Sequence, residues 1–166
     1  MNSKITELYD LSTGQSFTDF ADFPIQIYSH TGGKIDKNKI LICGGHQSPD
    51  YDFSTNCYTW NFRENGDFEQ SASLNIPRSS SASVMTKNGL WITGGFYGWN
   101  ENNTVLYSTE FVTPTQSIMG PEIPYAMAGH CIIKISDSTV MFTGGAYRYN
   151  TETEGSEINR GNFSHY

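Results

Sequence analysis

Ile40-Leu-Ile-Cys-Gly-Gly45 is followed 50 residues later by Leu90-Trp-Ile-Thr-Gly-Gly95 and, after another 50, by Val140-Met-Phe-Thr-Gly-Gly145. In each copy a short apolar run ends in a pair of glycines. A constant period of this length indicates a repeated structural unit. The repeated glycines are expected to let the backbone turn sharply where equivalent strands end, and they are Gly44, Gly45, Gly94, Gly95, Gly144 and Gly145.

Other residues recur with nearly the same period. Tyr9, Tyr58 and Tyr107 are 49 residues apart, and we expect all three to lie in the core of their units. A proline opens each apolar segment at Pro24, Pro77 and Pro124. The middle copy is shorter at Lys87-Asn-Gly89, where Asn-Gly predicts a tight hairpin turn with positive φ at both residues.

Each period contains four apolar or alternating segments, which predicts four antiparallel strands. Gly-rich, aromatic-rich composition favours strands and tight turns, and few stretches have helical periodicity, so we expect almost no helix. The first strands are predicted at 25–31, 80–85 and 130–135, and the second at 39–43, 90–93 and 139–143. The third are predicted at 7–10, 56–62 and 104–112, and the fourth at 16–20, 66–71 and 117–121.

The chain resembles the kelch-repeat family. The resemblance depends on the apolar run with its glycine pair, the tyrosine about a dozen residues later and the proline that opens the next copy, and it extends from Thr6 to Gly145. It implies an all-β fold, a kelch-type β-propeller built of four-stranded antiparallel blades. The chain departs from the pattern because the tryptophan expected in strand four is absent, although Phe68 is a candidate to replace it in one copy.

About three blades are accounted for, and they do not close a ring. We expect a single partial propeller domain with a half-blade of strands three and four at 4–23, blades at 24–73 and 74–119, and an incomplete blade with a polar tail at 120–166. The chain is therefore expected to be a fragment of a larger protein, with the missing blades as its neighbours. Isolated, it would expose apolar faces and strand edges.

Charge and composition limit the class of partner. The formal net charge is −7 and there is no basic patch, so nucleic acid is not expected as a partner. No apolar run is long enough to cross a membrane, and the first residues lack a signal peptide's apolar segment. The default expectation is a cytoplasmic protein, with an extracellular location open for a fragment.

The three cysteines leave two possibilities open. Cys43 and Cys57 end and begin successive predicted antiparallel strands, so they could face each other across a hairpin. A disulfide would form there in an oxidising compartment, whereas two buried thiols are the preferred alternative. Cys131 has no evident partner. His30 and His130 occupy equivalent positions, and we expect structural roles because no further metal ligand stands at a matching position.

No catalytic constellation is evident, so we expect a binding module without enzymatic activity, cofactor or metal. The resemblance implies that the loops from strand two to three and from strand four to the next blade form one binding face for another protein. The candidate contact residues in those loops are His46, Arg78, Tyr97, Trp99, Tyr125, Tyr147 and Arg148. Arg78 would either pair with an acidic group of the partner or brace a neighbouring loop.

Two alternatives remain. The resemblance also includes galactose oxidase, a copper enzyme on a kelch-type propeller, but none of its ligands can be placed on this chain. A carbohydrate-binding surface would use the exposed aromatic side chains of Tyr97, Trp99 and Tyr147.

Overall fold

A computed structural model of the chain describes residues 4–48, 52–64, 66–98 and 104–146. These residues contain seventeen β-strands and no α-helix, as the sequence predicts. The strands are β1 (Leu8–Asp10), β2 (Gln15–Phe17), β3 (Ile27–Tyr28), β4 (Thr31–Lys34), β5 (Lys39–Cys43), β6 (His46–Gln47), β7 (Asp52–Phe53), β8 (Cys57–Asn61), β9 (Glu69–Gln70), β10 (Ala82–Thr86), β11 (Gly89–Thr93), β12 (Phe96–Tyr97), β13 (Thr104–Val105), β14 (Thr109–Val112), β15 (Ser117–Met119), β16 (Cys131–Lys134) and β17 (Val140–Thr143).

The strands form small antiparallel sheets, none of which closes on itself. The first sheet has the order β4-β5-β8-β9, and the second sheet repeats it as β10-β11-β14-β15. Before them lies the N-terminal hairpin, β1-β2, and after them the terminal hairpin, β16-β17. Two smaller sheets, β3-β6-β7 and β12-β13, lie at the end of the larger sheets where the glycine pairs stand. The predicted strands at 25–31 and 104–112 are each divided between a large sheet and a small one.

The glycine pairs follow β5, β11 and β17 directly, and all six glycines have positive φ, from 57° to 91°. A Cβ at Gly44 would lie 2.6 Å from the carbonyl oxygen of Arg78. A Cβ at Gly94 would lie closer still to the carbonyl oxygen of Met127. The glycines therefore have two functions, since they turn the chain and admit the backbone of the next unit.

A second left-handed position recurs that sequence reasoning missed. Ser29 and Ser80 have φ of 54° and 52°, and Gly129 has φ of 63° at the corresponding place before β16. Among the described non-glycine residues, only these two serines have positive φ. A serine in the sequence does not indicate positive φ, and only the third copy has a glycine, Gly129, at this position.

The core lies between the first and second sheets. Leu41 and Cys43 of the first sheet pack with Leu90, Ile92 and Val112 of the second, and each is at most 1% exposed. Because side chains alternate along a strand, one face of each sheet contributes to this core and the other faces the opposite neighbour. Stacking of successive sheets therefore buries what one sheet alone would expose.

Cys43 and Cys57 form a disulfide with an S–S distance of 2.05 Å. They are directly paired residues of β5 and β8, and both are buried in the core. The preferred expectation of two free thiols is therefore wrong, whereas the alternative of a cross-strand disulfide is correct. Cys131 is free and exposed.

The expected core position of the three tyrosines is correct only for Tyr58, which is 8% exposed. Tyr9 and Tyr107 are 58% and 49% exposed. The residue of the second sheet that occupies the position of Tyr58 is Glu110, since each pairs with the isoleucine two residues before the glycine pair. The connection to the third strand is longer in the second sheet, so equal spacing along the chain does not give equal positions.

The hairpin between β10 and β11 also differs from expectation. Thr86 pairs with Gly89, so the turn residues are Lys87 and Asn88 rather than Asn88 and Gly89. Gly89 has φ of 120°, and Asn88 is not in the positive-φ region. The Thr86 hydroxyl accepts a hydrogen bond from the Asn88 N–H at 3.2 Å and donates to the Gly89 carbonyl at 2.9 Å. This side chain fixes a turn that the Asn-Gly dipeptide was expected to set.

We expect Gly94→Ala to destabilise the chain far more than Gly129→Ser. Both place a side chain at positive φ, at a cost of about 1 kcal/mol, but only the first forces a Cβ against a backbone carbonyl. Overpacking adds roughly 1–3 kcal/mol. Urea unfolding of both variants measures the difference. Equal losses would show that the contact between Gly94 and Met127 does not constrain the fold.

Candidate functional site

Two kinds of connection meet at one end of the sheets: those from second to third strands and the linkers that lead from one sheet to the next. Since β5 and β11 run toward this end, the connections from second to third strands lie there. The linkers into β4, β10 and β16 reach the same end, because each first strand is antiparallel to the second. We call this end the loop face. It carries the small sheets β3-β6-β7 and β12-β13.

Aromatic rings form a continuous cluster on the loop face. His46 stacks on Tyr28 with centroids 4.9 Å apart, and it lies 4.3 Å from the ring of Phe53. Phe53 also makes edge contacts with Phe96 at 5.9 Å and Tyr97 at 5.5 Å. The cluster joins the small sheet of the first unit to that of the second.

The candidates within this cluster have different environments. His46 is 4% exposed, so its assignment as a surface contact residue is wrong. Its ring fills the space between Tyr28 and Phe53. Tyr97 is 45% exposed and is supported from beneath by Phe53. Sequence reasoning missed Phe53, for which the only available signal was its position three residues before the predicted third strand.

Arg78 is also buried, with 1% exposure, so it does not contact a partner from the surface. Its Nη1 donates to the carbonyl oxygens of Gly94 and Ser108, each at 2.9 Å. Its Nη2 forms an ion pair with Glu110 Oε1 at 2.8 Å. The alternative that this arginine braces neighbouring loops is therefore the correct one. It ties a linker to the end of β11 and the start of β14.

Glu110 completes this arrangement and was missed by sequence reasoning. Its Oε2 accepts hydrogen bonds from the backbone N–H of Asn75 at 2.7 Å and from the hydroxyl of Ser117 at 2.6 Å. Burial alone would raise the pKa of Glu110, but the bonds from Ser117 and Asn75 and the charge of Arg78 outweigh it, so the pKa lies below its usual value. One acidic residue facing inward in the apolar strand Thr109–Val112 was the available signal.

Tyr125 is the most exposed of the described candidates, at 61%. It lies in the linker from the second sheet to the terminal hairpin, which places it on the loop face. Trp99, Tyr147 and Arg148 lie outside the described residues. Of the seven candidates, the structure therefore brings Tyr97 and Tyr125 to the surface of the loop face and buries His46 and Arg78.

His130 is held between the second sheet and the terminal hairpin. Its Nε2 is 2.9 Å from the Thr93 hydroxyl, and its Nδ1 is buried without a hydrogen-bond partner. Burial lowers the pKa of His130 to about 4. The described residues contain no group of three or more His, Cys, Asp or Glu side chains arranged to hold a metal ion.

A cleft of about 380 Å³ separates the N-terminal hairpin from the first sheet. Its walls are mainly apolar and include Ile40, Ile42 and Trp60 of the first sheet and Ile5 before β1. At the corresponding place between the first and second sheets, Leu90 and Ile92 are fully buried.

Across the described ranges, no helix has the length and apolar character needed to cross a membrane.

No protein-family model and no curated protein matches this chain. Among solved structures, 151 chains are similar to it. One, the structure of YjhT, has a TM-score of 0.61 and 22% sequence identity over 75% of this chain. The chain spans only 35% of the length of that protein. At this identity the likeness concerns the fold alone.

Replacing the buried carboxylate should uncover the role of the Arg78 ion pair. We expect Glu110→Gln to lose about 3–5 kcal/mol of folding free energy, because Arg78 keeps its charge in a buried site without a counter-ion. Glu122→Gln, at an exposed position, should change stability by less than about 0.5 kcal/mol. Denaturant unfolding compares the two. A small loss in Glu110→Gln would mean that the two carbonyl acceptors compensate Arg78 by themselves.

Stability should also depend on the protonation of His130. The folded pKa of about 4 lies below the unfolded value near 6.5, so the unfolded state binds the proton first as pH falls. Stability should therefore decrease between about pH 6.5 and 4, by about 3 kcal/mol in total, and this contribution levels off below pH 4. Unfolding at a series of pH values tests this, with His130→Gln as the variant that lacks the His130 contribution; His30, whose pKa desolvation also lowers, contributes equally in both proteins. A wild-type curve that is flat in this range would contradict the buried, neutral imidazole.

Proposed function

We propose that this chain is a propeller-type, non-enzymatic binding module that contacts another protein through the loop face. Its repeated sheets, with the same strand order and the same glycine-terminated second strand, support a propeller arrangement. The partial likeness to YjhT supports the fold in the same way.

The observation that carries the proposal is the contrast between buried, hydrogen-bonded residues and the exposed aromatic side chains above them on one face. Tyr97 and Tyr125 are 45% and 61% exposed on the loop face. Beneath them, Arg78, Glu110 and Phe53 fix the loops by buried bonds and ring contacts. Exposed tyrosines on an ordered support are typical of protein-binding surfaces, because they bury a large area on binding at low entropic cost.

Binding should depend on these two tyrosines. Affinity capture with the full chain, followed by titration of the captured protein, measures the dissociation constant. We expect Tyr97→Ala and Tyr125→Ala each to weaken binding about tenfold or more, as central aromatic contacts do. Tyr9→Ala removes an equally exposed tyrosine from the N-terminal hairpin and should leave the constant unchanged. Equal effects of all three variants would place the partner elsewhere.

A glycan ligand is the second candidate, and the exposed ring of Tyr97 above Phe53 favours it. Sugar rings stack on such aromatic faces. A glycan array with wild type and Tyr97→Ala separates the classes: specific glycan signals lost in the variant would replace the protein partner by a carbohydrate.

A further inference from the structure

Two backbone hydrogen bonds recur wherever one unit meets the next. The N–H of the second glycine donates to a carbonyl in the following linker, from Gly45 to Arg78 at 2.8 Å and from Gly95 to Met127 at 2.7 Å. This bond joins the first sheet to the second, and the second sheet to the terminal hairpin. It has the same direction along the chain both times.

The second bond joins the left-handed residues. The Ser80 N–H donates to the Ser29 carbonyl at 2.9 Å, and the Gly129 N–H donates to the Ser80 carbonyl at 2.7 Å. The three residues thus form a line of bonds across the successive units. A line of this kind has an unused donor at one end and an unused acceptor at the other.

The two ends of the described array are complementary. At the terminal hairpin, the Gly145 N–H and the Gly129 carbonyl have no backbone partner among the described residues. At the other end, the Ser29 N–H likewise has none, and Ile27 occupies the position of Arg78 and Met127. One end therefore offers the donor and acceptor that the other end requires.

The strands are complementary as well. The N-terminal hairpin corresponds to strands three and four of a sheet: Phe23 N–H bonds to the Lys4 carbonyl at 2.7 Å, as Leu74 does to Thr55 at 2.8 Å. The terminal hairpin corresponds to strands one and two, and β17 has no second neighbour among the described strands. Placed side by side, the order β16-β17-β1-β2 reproduces that of the first and second sheets.

The apolar surfaces match this arrangement. Ile40 and Ile42 correspond to Leu90 and Ile92, which are fully buried, yet both line the cleft beside the N-terminal hairpin. The outer face of the terminal hairpin exposes Ile133 by 43%, and Phe142 on the opposite face packs on the second sheet. The cleft lies where first and second strands would stand, and the terminal hairpin supplies such strands with an uncovered apolar face.

We propose that two copies of this chain associate head to tail, so that the terminal hairpin of each completes the N-terminal hairpin of the other. This inference rests on the proposed propeller arrangement. Each copy contributes two full sheets and two half-sheets, so two copies close a ring of six, within the four to eight blades that propellers have. The ring has a two-fold axis, and both junctions are equivalent.

The area is adequate for a stable pair. Strands 4–5 residues long and four abreast give a sheet face of roughly 15 by 19 Å, or about 300 Å² in projection. Each copy contributes one such face at each of two junctions, in addition to the paired strand edges. The total approaches the roughly 800 Å² per partner of stable protein interfaces.

Gly144 provides a variant that tests the junction at a small cost to the single chain, because an alanine at its positive φ of 69° is strained but meets no neighbouring atom. A Cβ at Gly144 meets nothing within 4 Å, whereas at Gly44 and Gly94 it would strike a carbonyl of the next unit. In the closed pair, Gly144 would meet the partner's backbone in the same way. Gly144→Ala should therefore fold as one chain and fail to associate, and Gly66→Ala is the control because its Cβ also meets nothing within 4 Å.

Light scattering after size exclusion of the full chain measures the mass. We expect wild type and Gly66→Ala to have twice the 18.6 kDa mass of one chain. Gly144→Ala should have the mass of a single chain and still melt cooperatively. Hydrogen exchange of wild type should show the Ser29 and Gly145 amides protected at high concentration and exchanging faster on dilution into the single-chain range.

Several results would overturn the inference. The first is a wild-type mass of one chain at all concentrations, even if residues 147–166 of the same chain then protect the Gly145 amide. The second is an open-ended series of larger species. The third is a pair that forms equally well in Gly144→Ala. Tyr97→Ala and Tyr125→Ala should leave the mass unchanged. A pair without a loop-face partner would leave this inference standing and remove the proposed function, and a single chain that binds its partner would do the reverse.

Discussion

The rest of the structure depends on the close approach of one unit's backbone to the glycine pair of the unit before it. The second glycine donates a hydrogen bond to the incoming linker, and the first leaves room for the carbonyl that a Cβ would exclude. With this contact made, the apolar faces of neighbouring sheets lie close enough to share one core. The linkers are fixed at the same time, and the linker into β16 carries the exposed Tyr125 of the loop face.

The buried ion pair follows from the same constraint. The linker that approaches Gly44 brings Arg78 beneath the loop face, where it reaches carbonyls at the end of β11 and the start of β14. A charged guanidinium in that place requires a counter-ion, and Glu110 of β14 provides it. Polar bonds thus hold the connections, whereas apolar contacts hold the sheets. Buried polar bonds thus anchor the linkers beneath the loop face, and Tyr97 and Tyr125 are exposed on its surface.

The sequence predicts the all-β organisation and the ends of the second strands well, because both depend on local patterns: alternation, and glycine where φ is positive. It predicts poorly where the outcome depends on connection length. Glu110, and not Tyr107, occupies the position of Tyr58, since a longer connection shifts the third strand. The burial of Arg78 and His46 depends on which linkers and rings cover them, and no local pattern encodes that. The disulfide was one of two open possibilities, because the spacing allows Cys43 and Cys57 to face each other across a hairpin but does not determine their oxidation.

The two ends of the repeated array differ from its middle, because only the middle sheets have a neighbour on each side. Within the array the second sheet has a neighbour on both faces and uses its backbone donor and acceptor, and the exposed Tyr97 and Tyr125 lie on the connections at the loop face. At the two ends these same groups remain uncovered among the described residues, and they are self-complementary because all units share one direction. The proposed ligand of the loop face would have to match particular side chains such as Tyr97, whereas the proposed pairing of the ends would require only another unit of the same kind. The two surfaces therefore differ in physical basis, side-chain recognition on one and backbone continuation on the other, and a substitution can alter either without the other.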